Sequence, residues 1–172
     1  MKSAIATFFF TGHLRPAPGT WGSAAALPAA WLIHGVASFW GLALASIVVF
    51  FVGWWATAAH TAGAPDHDPS EVVIDEVVGQ WLALWPLSFG MWYIGADPWA
   101  VPAQAVVAAF VLFRFFDITK LGPIGWADRR HDALGVMLDD VIAGLFAAMV
   151  LFLGAALLPW AASAMEFVRW IM

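Results

Sequence analysis

The stretch VMLDDVIAGLFAAMVLFLGAALL, residues 136–158, sets two adjacent carboxylates, Asp139 and Asp140, in front of a run with no other charged or amide side chain. An earlier stretch, VIDEVVGQWLALWPL, residues 73–87, repeats the arrangement with Asp75 and Glu76, two valines, a glycine and then apolar residues. The surroundings of both are as apolar. The chain is 63% hydrophobic and 11% charged, with a mean hydropathy of +0.83, whereas a soluble domain carries about 25% charged residues. Its solvent is expected to be a bilayer.

A helix needs about 20 mostly apolar residues to cross the hydrocarbon core. Five segments qualify as candidates, at about 22–37, 39–60, 77–95, 99–116 and 135–160. Pro28 and His34 interrupt the first, Pro86 lies inside the third, and Pro102 falls in the first turn of the fourth, where its missing N–H costs nothing. Trp21, Trp40, Trp99 and Trp160 fall near the proposed ends, as interfacial belts place them. The fold class expected is all-α: a polytopic bundle of about five membrane helices forming one domain over 1–172. The opening MKSAIATFFFTGHLRP reads as mature chain rather than a cleaved signal, because Thr11-Gly12-His13 makes a poor cleavage site.

Threading five spans in alternation puts Lys2, Arg15, Arg114, Lys120, Arg129 and Arg130 on one side and only Arg169 on the other. The positive-inside rule makes the first side cytoplasmic. The acids follow without having been used to set the threading. Ten of the twelve fall at that face, leaving Asp97 and Glu166 opposite.

The acid pairs admit two readings. At helix N-termini, unpaired N–H groups and the positive dipole end favour carboxylates, so each pair could be a cap. One acid suffices for that. Two neighbours repel, and Asp139-Asp140 lie about a turn inside a helix starting near Leu134, where desolvation is costly. A cation between the pairs resolves both problems, and oxygen ligands suit Mg2+. Further along, Arg114, Asp117 and Lys120 recur every third residue in FRFFDITK. They form either an interfacial ion-pair ladder or a metal ligand flanked by a phosphate clamp, with Arg129 and Arg130 available from the following loop. RPAPGTWGS, residues 15–23, is either a rigid turn and cap or a helix start open to an anion. HTAGAPDHDPSE, residues 60–71, holds His60, Asp66, His67, Asp68 and Glu71 without a helical His-x-x-x-His pair, and reads as a solvated loop. His13, His34 and His131 are isolated and receive no role.

Four stretches in order, PGTWGSAAALP, IDEVVGQW, FRFFDITKLGPIGWADR and GVMLDDVIAG, resemble the phosphatidylglycerophosphatase A family of bacterial inner-membrane lipid phosphatases. The resemblance implies Mg2+-dependent hydrolysis of phosphatidylglycerophosphate to phosphatidylglycerol and phosphate, on an anionic phospholipid in the membrane. Its acidic motif positions fall on Asp75, Glu76, Asp117, Asp128, Asp139 and Asp140. Asp75, Glu76, Asp117, Asp139 and Asp140 are the expected catalytic and metal-holding acids, with Arg114, Lys120, Arg129 and Arg130 on the substrate phosphate. Leu121 stands where the family pattern has proline.

Rival chemistries are tested by absence. Zero cysteines excludes disulfides, thiolate nucleophiles and cysteine metal sites. Histidine-based lipid phosphatases require a Ser-Arg pair that does not occur, and Asp66-x-Asp68 lies in a proline-rich loop rather than at a strand end. A transporter moving cations or protons on intramembrane acids is the alternative from another class. It predicts acids spread through the membrane depth. No nucleic-acid partner is expected, and the sequence sets no oligomeric state.

Overall fold

The computed structural model describes residues 1–63 and 68–171, with side chains of the last helix described as far as Leu157. Asp66 and His67 lie outside the described residues, as do the side chains of Trp160, Glu166 and Arg169. Every regular element is helical among the described residues: α1 (Lys2–Ala6), a 3-10 turn (Thr11–His13), α2 (Pro18–His60), α3 (Ile74–Ala83), α4 (Trp85–Tyr93), α5 (Ala103–Thr119), α6 (Pro123–Asp128) and α7 (Ala133–Ile171).

Helix α2 is two helices joined at Ser38, whose φ of 58° and ψ of −158° are not helical. The chain reverses there. Gly22 abuts Val73 and Gly53 abuts the adjoining Ile74, yet in a straight helix the two glycines would stand about 46 Å apart at 1.5 Å per residue. The halves therefore run back along one another, with the break between the first two expected spans. The third expected span divides at Leu84, because Pro86 offers no N–H to the preceding turn. The fourth yields the 17-residue α5, about 26 Å long at 1.5 Å per residue and short of a hydrocarbon core of about 30 Å.

Among the described residues the helices long and apolar enough to cross a membrane are Pro18–His60, which folds back at Ser38 between the first two expected spans, and Ala133–Leu157, so five crossings are not clearly reached. Local breaks account for the difference, because hydropathy registers apolar length and does not see where a helix stops. The surface is apolar all the same. Trp31, Leu44, Phe51, Trp55, Val107, Phe115, Met149 and Phe152 are exposed around the circumference, an extent of apolar surface that soluble monomers rarely show.

The short helix α3 is the axis of the bundle. Nine of its ten residues are buried, against α2, α5 and α7. Trp81 donates from Nε1 to the carbonyl of Ala26 at 2.9 Å, fixing α3 to the first half of α2. Against α7 the approach depends on two glycines. A Cβ on Gly144 would strike the carbonyl of Gly79, and one on Gly79 would come within 2.6 Å of the carbonyl oxygen of Asp140. This crossing lies one turn beyond each acid pair and fixes the separation of the two pairs.

Gly144→Ala should therefore force α3 and α7 apart. We expect a loss of about 1–3 kcal/mol, the usual cost of overpacking, read as a lower melting temperature in detergent, together with lost catalysis. An unchanged melting temperature would show that the crossing is looser than described.

Candidate active site

Five segments converge at one end of the bundle, around a cleft of about 340 Å3: the N-terminus of α2, the loop before α3, the first turn of α3, the end of α5 and the second turn of α7. Asp75, Glu76, Arg114, Asp117, Lys120, Asp139 and Asp140 all line it. Seven of the nine residues expected at the site are thus brought together. Arg129 and Arg130 are placed outside the cleft lining: Arg129 is exposed, while Arg130 pairs with Asp132 at 2.9 Å and lies over the Trp126 ring at 5.8 Å. Asp128 is exposed and reaches the site only through Lys120, at 3.3 Å. Asp97 stands apart from the cleft, accepting the Trp99 N–H.

The capping reading of Asp139-Asp140 fails on geometry. Helix α7 begins at Ala133, so the pair sits beyond the first turn. Asp132 holds the cap instead, its Oδ1 accepting the Gly135 N–H at 2.6 Å. Asp75 and Glu76 do occupy the first turn of α3. In both pairs the first acid accepts the N–H of the second, at 3.0 Å for Asp75 and 2.9 Å for Asp139. The second acid is left to face the cleft with an unbonded oxygen: Glu76 Oε2 and Asp140 Oδ1 are buried without a hydrogen-bond partner among the described residues.

The bases are distributed unevenly. Arg114 Nη1 lies 2.7 Å from Asp117 and donates to Ser23 Oγ at 3.3 Å. Lys120 pairs with Asp117 and Asp128, each at 3.3 Å, and with Asp139. Burial lowers the pKa of its ammonium, but the carboxylates of Asp140, Asp139 and Asp117 outweigh burial and hold it above the ordinary lysine value. Its backbone is left-handed (φ 48°, ψ 42°) at the end of α5, where glycine is the usual residue. A lysine there costs about 1–2 kcal/mol of backbone strain, offset by three ion pairs. The ion pairs described leave Asp75, Glu76 and Asp140 without a basic partner. One oxygen from each of these three falls within 4.8 Å of the others.

Buried, repelling carboxylates with unsatisfied oxygens are costly unless a positive charge joins them, and an oxygen-only donor set fits a hard divalent cation. Beside them, the first turn of α2 lines the cleft through Pro18, Gly19 and Thr20, where free N–H groups favour an anion. Gly19 leaves room there for two site side chains. A Cβ would collide with Glu76 Oε1 and come within 3.2 Å of Arg114 Nη1. The cleft can thus receive an anion and a cation side by side.

A family model described as phosphatidylglycerophosphatase A matches residues 4–155. The chain belongs to this family. A Haemophilus influenzae phosphatidylglycerophosphatase A is 33% identical over 149 residues, covering 86% of this chain and 85% of the relative. The Escherichia coli phosphatidylglycerophosphatase A is 34% identical over 152 residues, covering 86% and 80%. A Bacteroides thetaiotaomicron protein provisionally named a phosphatidylinositol-3-phosphatase is 34% identical over 152 residues, covering 86% and 89%. No solved structure matches the chain. Family membership makes the chain a lipid phosphatase homologue and lends no support to the transporter alternative.

The sequence reading missed Gly79 and Gly144, whose signal was a small residue one turn from a charged one, and it missed Asp132 as the cap; Gly19 and Ser23 fall in the stretch 15–23 that it read as either a cap or a helix start open to an anion. Asp132→Ala should cost about 1 kcal/mol of unfolding stability, the worth of a lost cap, with turnover retained. Asp140→Asn should cost no stability and abolish turnover. Reversed results would return Asp140 to a structural role.

Proposed function

We propose that this chain hydrolyses the phosphomonoester of phosphatidylglycerophosphate to phosphatidylglycerol and phosphate, with Mg2+, at the cytoplasmic face of a bacterial inner membrane. The observation that carries the reading is the convergence of Asp75, Glu76 and Asp140, none in a close ion pair among the described residues, beside Arg114, Lys120 and the start of α2. Similarity over most of both phosphatidylglycerophosphatase A relatives supports the substrate, and the lysine and arginine distribution supports the orientation.

The terminal phosphate enters with its oxygens toward the first-turn N–H groups of α2 and the guanidinium of Arg114. Asp117 holds that guanidinium on its other side at 2.7 Å, so it is oriented before substrate arrives. Lys120 spans Asp117 and Asp139 and meets the developing charge on the phosphoryl group. Asp75, Glu76 and Asp140 would hold the cation, while Asp139 and Asp117 steady Lys120. A bound Mg2+ supplies Lewis acidity toward a phosphoryl oxygen and lowers the pKa of water in its shell. A carboxylate of the cluster not engaged with the cation takes the proton of the attacking water. The lipid tails remain outside, against the apolar flank that Ile118 presents at the rim of the cleft.

The experiment is phosphate release by purified protein in detergent. Phosphatidylglycerophosphate should be hydrolysed with Mg2+ and not in EDTA, and Asp75→Asn or Asp140→Asn should lower kcat about a thousandfold or more, because several kcal/mol of charge stabilisation is removed. Full activity in EDTA would sink the metal. Faster turnover of phosphatidylinositol 3-phosphate, the lipid named for the Bacteroides relative, would sink the head-group assignment.

A further inference from the structure

The acidic cleft has a floor and a rim. Asp75, Asp117, Asp139 and Asp140 are buried, whereas Asp68 and Ser70, which also line it, are exposed. The two bases of the lining are already engaged: Arg114 with Asp117 and Ser23, Lys120 with Asp117, Asp128 and Asp139. A third base reaches the rim from beside it. Arg15 is exposed and donates from Nη1 to Ser70 Oγ at 3.3 Å. It forms no ion pair among the described residues.

The segment that carries Arg15 is held in place on both sides. Gly12 lies against the residue that follows Ser70, so closely that a Cβ would overlap the carbonyl oxygen of Glu71. Pro16 and Pro18 each fix a φ angle between Arg15 and the first turn of α2. A guanidinium has five N–H donors and suits phosphate oxygens. The partner described for Arg15 is one neutral hydroxyl, which leaves the charge and most of the donors for an anion.

The substrate proposed above carries such an anion. Besides its terminal phosphomonoester, phosphatidylglycerophosphate has a phosphodiester, with one negative charge, three carbons away. The two phosphorus atoms are six bonds apart, about 7 Å when extended like two residues of backbone. Arg15 precedes Gly19 by four residues, so their Cα atoms are at most about 14 Å apart, and the Arg15 side chain ends at Ser70 on the cleft lining. With the monoester at the first-turn N–H groups of α2, the diester comes to the rim, where Asp68 also stands and like charges repel. We propose that Arg15, steadied by Ser70, binds this phosphodiester. It is then a specificity-determining residue, selecting phosphomonoesters that a three-carbon spacer joins to a charged phosphodiester. The inference rests on the phosphatase reading given above.

The test compares two short-chain substrates in detergent with Mg2+: phosphatidylglycerophosphate, and its analogue with the diester methylated to an uncharged triester. Phosphate release gives kcat and KM for each. The unaltered chain should prefer the charged diester by about three- to tenfold in kcat/KM, between the worth of an exposed ion pair and that of a buried charged hydrogen bond. The preference should lie in KM, because the diester is bound alike in ground and transition states. Arg15→Gln should bring the ratio close to one, Arg15→Lys should keep part of it, and Ser70→Ala should reduce it. In the unaltered chain, where no variant has to fold, added salt should erode the same preference by screening an exposed charge pair. A preference that survives Arg15→Gln would overturn the proposal. So would equal turnover of the two substrates by the unaltered chain. An Arg15→Gln loss of the same size on both would also overturn it, and would make Arg15 an anchor for bulk head groups. Failure of the unaltered chain to release phosphate from either substrate would instead refute the phosphatase reading, and this assignment with it.

Discussion

Six carboxylates, Asp68, Asp75, Glu76, Asp117, Asp139 and Asp140, line one cleft at the end of an apolar bundle with two bases, Arg114 and Lys120. Four of the six are buried. Charges removed from water repel strongly and are retained only where something of opposite sign joins them. The two bases form close ion pairs with Asp117 and Asp139 and act on Glu76 and Asp140 only at longer range. The remaining negative charge is the constraint that the rest of the site answers to, and it gives both the cation reading and the phosphate reading their physical basis.

The backbone is arranged to hold that charge in place. Gly79 and Gly144 let α3 and α7 touch one turn from the acids, and Gly19 lets the start of α2 reach Glu76. Ser23 ties Arg114 to the same turn of α2. Lys120 is delivered by a left-handed residue that ends α5, and Gly122 and Pro123 then start α6. Each contact is short-range. Together they bring residues up to about 120 positions apart in sequence into one cleft.

Much of this was legible in the sequence. The recurrence of an acid pair before an apolar run marked the site, and the motif order marked the family. Helical class followed from composition. The number of crossing helices did not, because a hydropathy window sums side chains and passes over backbone events: the break that Pro86 imposes after Leu84 and the early end of α5. Partnering was equally hidden. Asp139 and Asp140 look equivalent in sequence, yet Lys120 makes its close ion pair with Asp139 and acts on Asp140 only at longer range. Arg129 and Arg130 look like part of the phosphate clamp, but α6 turns them toward solvent and Asp132.

The most direct measurement is the melting temperature in detergent, with and without Mg2+, of the unaltered chain and of Asp140→Asn. If the three unpaired acids hold a cation, Mg2+ at a hundred times its Kd should stabilise the unaltered chain by about 2.7 kcal/mol through mass action. Asp140→Asn should be at least as stable as the unaltered chain without metal, because one repelling charge is gone, and should respond little to Mg2+. An equal Mg2+ response in both proteins, or none in either, would contradict a cation held between the acid pairs.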